Sequence, residues 1–272
     1  MTILWVQRFF YAAALAFLAV GRALAEPNPV DFATTSLPEG PFTSQPGWKI
    51  NVQAPSNASF VIKPGSGLEL TDNTGGTHSV AYGFFYDKEI PTGRDNFTAG
   101  MPVWQTVNFT IKQEPGPKKG RILGLGWGLF LPVGPNNLPF FAEFIRDTSE
   151  GGYRLKLVKQ EEKTTIEGDV IAVIPEDALG LGPTDPESDP LQLSFTLTNL
   201  GEKTDWEAVS ILTNLKTQKS FVLKNAIKAP GVYKKEDLLR AIVNLRRAGE
   251  DGLSSVLISQ IDAEPAADPT AQ

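Results

Sequence analysis

Two carboxylates four residues apart, a single histidine, four tryptophans beyond residue 40 and one short polar triplet are the groups whose chemistry could define a function here. Glu143 and Asp147 stand in Phe141-Ala-Glu-Phe-Ile-Arg-Asp147 and share a face if that segment is a strand. Paired carboxylates cleave glycosidic bonds at separations of about 5–5.5 Å with retention or about 6.5–9.5 Å with inversion. Four residues of strand span about 13 Å, so the two read as outward polar positions and no catalytic residue is assigned. His78 lies in Gly75-Gly-Thr-His-Ser79, a turn-like setting that suits a surface or capping histidine. Glu161, Glu162, Glu167 and Asp169, the acidic residues of 184–190 and Glu250-Asp251 carry oxygens, and calcium needs several that converge. Their spacing matches no calcium loop, so a solvated face is expected and no metal or cofactor is assigned.

The tryptophans carry the stronger signal, because an indole face stacks on the apolar face of a sugar ring. Trp104 alternates with polar neighbours, Thr106 and Asn108. Trp127 lies among Gly124, Gly126 and Gly128, which leave one side of their segment nearly bare and permit close approach of a ligand. These two are the ligand-binding candidates. The loop Arg94-Asp-Asn96 adds Arg94 and Asn96 as hydrogen-bonding candidates.

Composition removes several other classes. The 272 residues contain no cysteine, which rules out a disulfide framework, Cys-ligated zinc and thiol nucleophiles. With 25 basic against 31 acidic residues, the formal charge of −6 offers no basic footprint for nucleic acid. Arg8, the 12-residue apolar run Phe9 to Val20 and the small-residue exit Ala23-Leu24-Ala25 predict a secretory signal peptide over residues 1–25. A membrane span needs about 20 apolar residues, and Gly21 and Arg22 end this run short of that. Losing Arg8 and Arg22 takes the charge from −6 to −8. The mature protein is expected to be secreted or periplasmic and not membrane-spanning, and the lack of cysteine suits a bacterial envelope.

Short apolar runs bounded by Gly, Pro, Asn and Asp must position these residues, and such runs are strand-and-turn signals. Val103 to Ile111 sets Val103, Gln105, Val107, Phe109 and Ile111 on one face and Trp104, Thr106, Asn108 and Thr110 on the other. Leu191 to Leu197 sets Leu191, Leu193, Phe195 and Leu197 against Gln192, Ser194 and Thr196. Phe140 to Asp147 and Tyr153 to Val158 form a hairpin, and Val256 to Ile261 a closing strand. Residues 26–46 are Pro-rich and open with a solvated lead-in, 176–190 read as a long acidic loop and 265–272 as a disordered tail, leaving one domain over 26–264. Lys234 to Arg247 fits helix and strand equally well, and local propensity leans to helix. About twelve strands with almost no helix predict two packed antiparallel sheets.

Several passages resemble exported bacterial members of the concanavalin A-like lectin/glucanase (laminin-G-like) superfamily. They are Gly47-Trp48 before a strand, Pro64-Gly-Ser-Gly67, Leu68-Glu-Leu-Thr-Asp72, the hairpin Leu212-Thr-Asn-Leu-Lys-Thr-Gln-Lys219, and Val256-Leu-Ile-Ser-Gln-Ile-Asp262. The hairpin matches the family's L-T-N-L-x-T-G-K except that Gln218 replaces the glycine. The resemblance implies an all-β jelly-roll sandwich and a glycan as partner, and it makes Leu238 to Arg247 the penultimate strand, which the closing strand would need as a partner. Glucanases of this fold carry E-x-D-x-x-E, which is absent here, and its lyases use His, Tyr and Arg or Gln sets. The expected protein is a non-catalytic, lectin-like binder of a polysaccharide or glycoprotein glycan. A hydrolase or lyase of the same fold and a structural envelope protein remain as alternatives.

Overall fold

The computed structural model describes residues 30–32, 39–41, 48–52, 59–71, 77–82, 102–113, 120–130, 137–147, 152–161, 164–170, 173–182, 186–200, 205–228, 238–246 and 254–265. The strands, in chain order, are β1 (Val30–Asp31), β2 (Gly40–Pro41), β3 (Trp48–Val52), β4 (Ser59–Lys63), β5 (Gly67–Thr71), β6 (Thr77–Tyr82), β7 (Pro102–Gln113), β8 (Gly120–Phe130), β9 (Asn137–Asp147), β10 (Gly152–Glu161), β11 (Thr164–Val170), β12 (Leu191–Asn199), β13 (Asp205–Asn214), β14 (Ser220–Lys228), β15 (Leu238–Arg246) and β16 (Ser254–Pro265). They form two antiparallel sheets. One has nine strands in the order β14-β13-β12-β7-β16-β5-β4-β2, with β1 also on β16; the other has seven, β11-β10-β9-β8-β15-β6-β3.

Side-chain alternation builds the core. Along β7, Gln105, Val107, Phe109 and Ile111 are buried, while Trp104, Thr106, Asn108 and Thr110 are half-buried on the opposite face. Along β12, Leu191, Leu193, Phe195 and Leu197 are buried against half-exposed Gln192, Ser194 and Thr196. Both strands follow the period of two expected of a sheet with one wet face. The inner face of the seven-stranded sheet supplies Leu123, Ala142, Phe144, Tyr153, Leu155 and Leu157. The sheets meet where the Phe109 ring lies 6.1 Å from Phe144, which stacks on Tyr153 at 5.3 Å.

Four sequence expectations change. Leu238–Arg246 is a strand, as the resemblance implied and local propensity did not, but its partners are β6 and β8. The closing strand β16 instead pairs with β7 on one edge and with β5 and β1 on the other. The β16 strand also continues through Glu264 and Pro265, opposite Trp104 and Val103, so the tail begins later than expected. The lead-in is tied down: Val30 and Asp31 pair with Ile261 and Gln260, the Phe32 amide donates to the Ser259 carbonyl, and Phe32 is buried.

The fourth change is the acidic segment 176–190, whose described residues act as a strap. Glu176–Leu179 form a 3-10 turn, and Ala178, Leu179, Leu181 and Ser188 are buried. Ser188 donates its amide to the Ile111 carbonyl and receives the Ile111 amide on its hydroxyl. The Asp189 carboxylate accepts from Lys216 Nζ at 2.8 Å and from Asn214 Nδ2 at 3.0 Å. Glu176, Asp177 and Glu187 are exposed while Ala178, Leu179 and Leu181 join the core, which composition alone conceals. The signal segment 1–25 lies outside the described residues, as do residues 266–272 of the expected tail.

Two outcomes follow from these contacts. Gly67 has φ +136, and a Cβ there would run into the Ile258 carbonyl oxygen of β16, whereas Gly65 at φ +73 faces open space. Gly65→Ala should cost about 1–2 kcal/mol for the left-handed backbone alone, and Gly67→Ala about 1–3 kcal/mol more from the backbone clash, as read by chemical denaturation. The Lys216 ammonium, and after it the Asn214 amide, hold the Asp189 carboxyl below its ordinary range. A depressed folded value stabilises above the unfolded value of about 3.9 and is lost as pH falls through the folded one. Asp189→Asn should therefore be less stable than the parent at pH 7, and the two melting temperatures should converge as pH falls below about 4. A constant gap across that window would show that the ion pair does not contribute.

Candidate functional site

The outer face of the nine-stranded sheet gathers Trp104 with a set of uncharged hydrogen-bonding groups. Burial of Val107 and Phe109 on β7 forces Trp104, Thr106 and Asn108 to the other side. Cross-strand register then sets Thr196, Ser194 and Gln192 of β12 beside them, in that order. On the other flank, β16 places Glu264 beside Trp104, Asp262 beside Thr106 and Gln260 beside Asn108.

A bulge makes that last row possible. The register of β16 shifts between Ile258 and Gln260, so Ile258 and Ile261 are both buried although three residues apart. One extra residue in a strand reverses the facing of everything beyond it. Without the shift, Gln260 and Asp262 would take the core side with Ile258. The extra residue, Ser259, donates its hydroxyl to the Asn108 carbonyl at 3.2 Å. With Gln260 turned outward, three amides join across three strands. Gln192 Nε2 donates to Asn108 Oδ1 at 2.9 Å, and Asn108 Nδ2 donates to Gln260 Oε1 at 3.0 Å. The row holds each amide in one orientation, and Gln192 Oε1 and Gln260 Nε2 remain as outer groups for a ligand. Asn108 was expected on the polar face; Gln192 was read only as water-facing, and Gln260 was not singled out. The broken period after Ile258 is the signal that could have found it.

The other sequence candidates do not join this face. Trp127 belongs to β8 in the opposite sheet. Its register sets it opposite Phe140 and Ala241. Arg94 and Asn96 lie outside the described residues. Trp48 pairs with Tyr82, and Trp206 with Asn199 and Ile227. His78 is in strand β6 opposite Val52 and Leu245, not in a turn.

Glu143 does face away from the core, as expected, but it is not solvated. It pairs by register with Gly124 and Lys156, and it and Lys156 retain only 4% and 8% of their exposure. Asp147 ends the same strand, opposite Gly152, about 13 Å from Glu143 along β9. Glu167 and Asp169 fall on β11 and Glu161 ends β10. Among the described residues no three His, Asp or Glu side chains gather in a metal-binding group, and no helix is long and apolar enough to cross a membrane.

No protein-family model and no curated protein sequence matches the chain. Solved structures do. The CBM2 module of the evolved Dit of Lactobacillus casei phage J-1 superposes with a TM-score of 0.51 at 9% identity, covering 88% of this chain and 95% of that one. Metal-free lectin I-B4 of Griffonia simplicifolia superposes with a TM-score of 0.50 at 10% identity, covering 88% of this chain and 100% of that one. At such identities the likeness is one of fold. Two stacked antiparallel sheets of this strand order, superposing on those structures over nearly their whole length, give this chain the concanavalin A-like, lectin-type β-sandwich fold.

Proposed function

We propose that this is an exported, non-catalytic carbohydrate-binding protein whose sugar site is the outer face around Trp104. The observation that carries the reading is a half-exposed indole on the same strand face as a pre-ordered amide row. An indole covers the apolar face of a sugar ring, and amides and hydroxyls fixed along the same strand face bond sugar hydroxyl groups. Apolar contact with a few placed polar groups is how small-molecule sites usually gain specificity. The partner is a polysaccharide or glycoprotein glycan. The two solved structures of similar fold, a CBM2 module and a lectin, favour that class of ligand. Export rests on Arg8, the apolar run Phe9 to Val20 and the Ala23-Leu24-Ala25 exit.

Trp104→Ala should weaken binding to a demonstrated glycan by about 1–3 kcal/mol, the scale of one large apolar side chain. Its melting temperature should stay near that of the parent. Phe109→Ala, a core change, should cost about 3–5 kcal/mol of stability and calibrates the melt. Unchanged glycan affinity, or a Trp104→Ala melt resembling that of Phe109→Ala, would overturn the site. For export, intact-mass measurement of protein recovered outside the cytoplasm should find Glu26 as its first residue. Retention of residues 1–25 would reject that part of the proposal.

A further inference from the structure

The polar groups beside Trp104 do not stop at the amide row. Register carries that row across two further strands: Gln192 of β12 stands opposite Thr213 of β13, and Thr213 opposite Ser220 of β14. The Thr213 and Ser220 hydroxyls hydrogen-bond each other at 2.9 Å. Gln260, Asn108, Gln192, Thr213 and Ser220 therefore make one line of uncharged hydrogen-bonding groups over neighbouring strands. At the usual strand spacing that line is about 19 Å long.

The rows next to it, on the Trp104 side, turn apolar toward the β14 edge. Ser194 stands opposite Ile211, and Ile211 opposite Val222; Thr196, the partner of Trp104, stands opposite Val209. Val209 and Ile211 are half-buried, and Val222 keeps 56% of its exposure. A single exposed valine on a strand needs no explanation. Here three β-branched side chains adjoin by register on the face that carries Trp104, with the hydroxyl pair alongside. Trp104 and Val222 stand three strand spacings apart, about 14 Å, which exceeds a single pyranose ring. The charges around this patch are placed as a border. Glu207 and Lys224, beside Val209, pair with each other at 2.6 Å. Asp262 lies across β7 from the patch, and Lys112 lies beyond Asn108 on β7.

Resting on the sugar-binding reading above, we propose a second sugar subsite at the β14 edge, formed by Ile211, Val222, Thr213 and Ser220. An oligosaccharide longer than a disaccharide then lies across the strands, from Trp104 to Val222. One unit stacks on the indole. A unit further along rests its apolar face on Ile211 and Val222 and turns hydroxyls to Thr213 and Ser220. Apolar contact beside placed polar groups recurs at both ends of the track.

The test is calorimetric titration of the full exported chain with oligosaccharide ladders, from monosaccharide to hexasaccharide, of β-glucan, xylan, mannan, galactan and chitin. In whichever ladder binds, Thr213→Val and Val222→Ser should weaken the hexasaccharide about tenfold and leave the disaccharide unchanged. Trp104→Ala should weaken both. Thr110→Val, a change on the same face further along β7, should affect neither. Each variant is checked for an unchanged melt, and Ser220→Ala, at an exposed position, replaces either edge variant whose melt falls. Parent-like hexasaccharide affinity in the edge variants, equal weakening of both ligands by them, or weakening by Thr110→Val in their place would overturn the inference while leaving sugar binding intact. Self-association lost in Val222→Ser by sedimentation, with hexasaccharide affinity unchanged, would make the edge a contact between two copies of the chain and overturn it as well. Failure of every ladder to bind would remove the sugar-binding reading and this one with it.

Discussion

The contact of Phe109 with Phe144, and of Phe144 with Tyr153, is the joint on which both sheets depend. Each of these side chains is fully or almost fully buried; Phe109 and Phe144 sit within their strands, and Tyr153 is the second residue of β10. Deleting one such ring costs about 3–5 kcal/mol, a large part of the total stability of an ordinary domain. The joint is also closed at one end. Tyr153 exchanges backbone hydrogen bonds with Ile174, at 2.9 and 2.7 Å, and the strap that begins there buries Leu179 and Leu181. Burial pushes the Tyr153 phenol well above its ordinary range, against the opposing pull of Arg146, so the ring stays neutral in the core. Once these rings are committed inward, the period of two leaves every intervening residue on the far face. Trp104 is outside because Val107 and Phe109 are inside.

That coupling explains which elements could be read from the sequence. Strands β7 and β12 were legible because both alternate without interruption, and burial follows the alternation residue by residue. Strand β15 was not legible locally, since Leu238, Leu239, Ile242 and Val243 satisfy helix and strand periods alike; the fold resemblance decided it. Its partners were assigned wrongly even then, because pairing between distant segments leaves no trace in local periodicity. The strap at 176–190 was misread for a different reason. Its acidic residues dominate composition, yet three short apolar side chains decide where it lies. The lead-in was misread because Pro-rich composition hides Phe32, one buried residue.

The site was legible only in its first element. Strand alternation placed Trp104, Thr106 and Asn108 on the polar face. Nothing local joins Asn108 to Gln192 or Gln260, which are 84 and 152 residues away. The bulge at Ser259 appears in the sequence only as a missed beat between Ile258 and Ile261, inside a run that reads as one closing strand. Trp127, singled out for its glycine neighbours, lies in the other sheet, on β8.

The sandwich keeps the core and the candidate site on opposite faces of the same strands. A change at Val107, Phe109 or Leu193 is felt by the core, where even one methylene matters. A change at Thr106 or Ser194 falls on the outer face, and surface substitutions of that kind usually fall within about 0.5 kcal/mol. Outer faces can therefore diverge while inner faces hold the architecture, which accounts for a shared fold at 9–10% identity. The same separation limits what fold likeness carries, since specificity resides on the face that the fold does not constrain. Here that face contains one structural exception. The bulge in β16 both seats Ile261 in the core and turns Gln260 toward Asn108, so the amide row is tied to packing in a way that its neighbours Thr106 and Ser194 are not. Its position is set by the core, and only the identity of its side chains is free to follow a ligand.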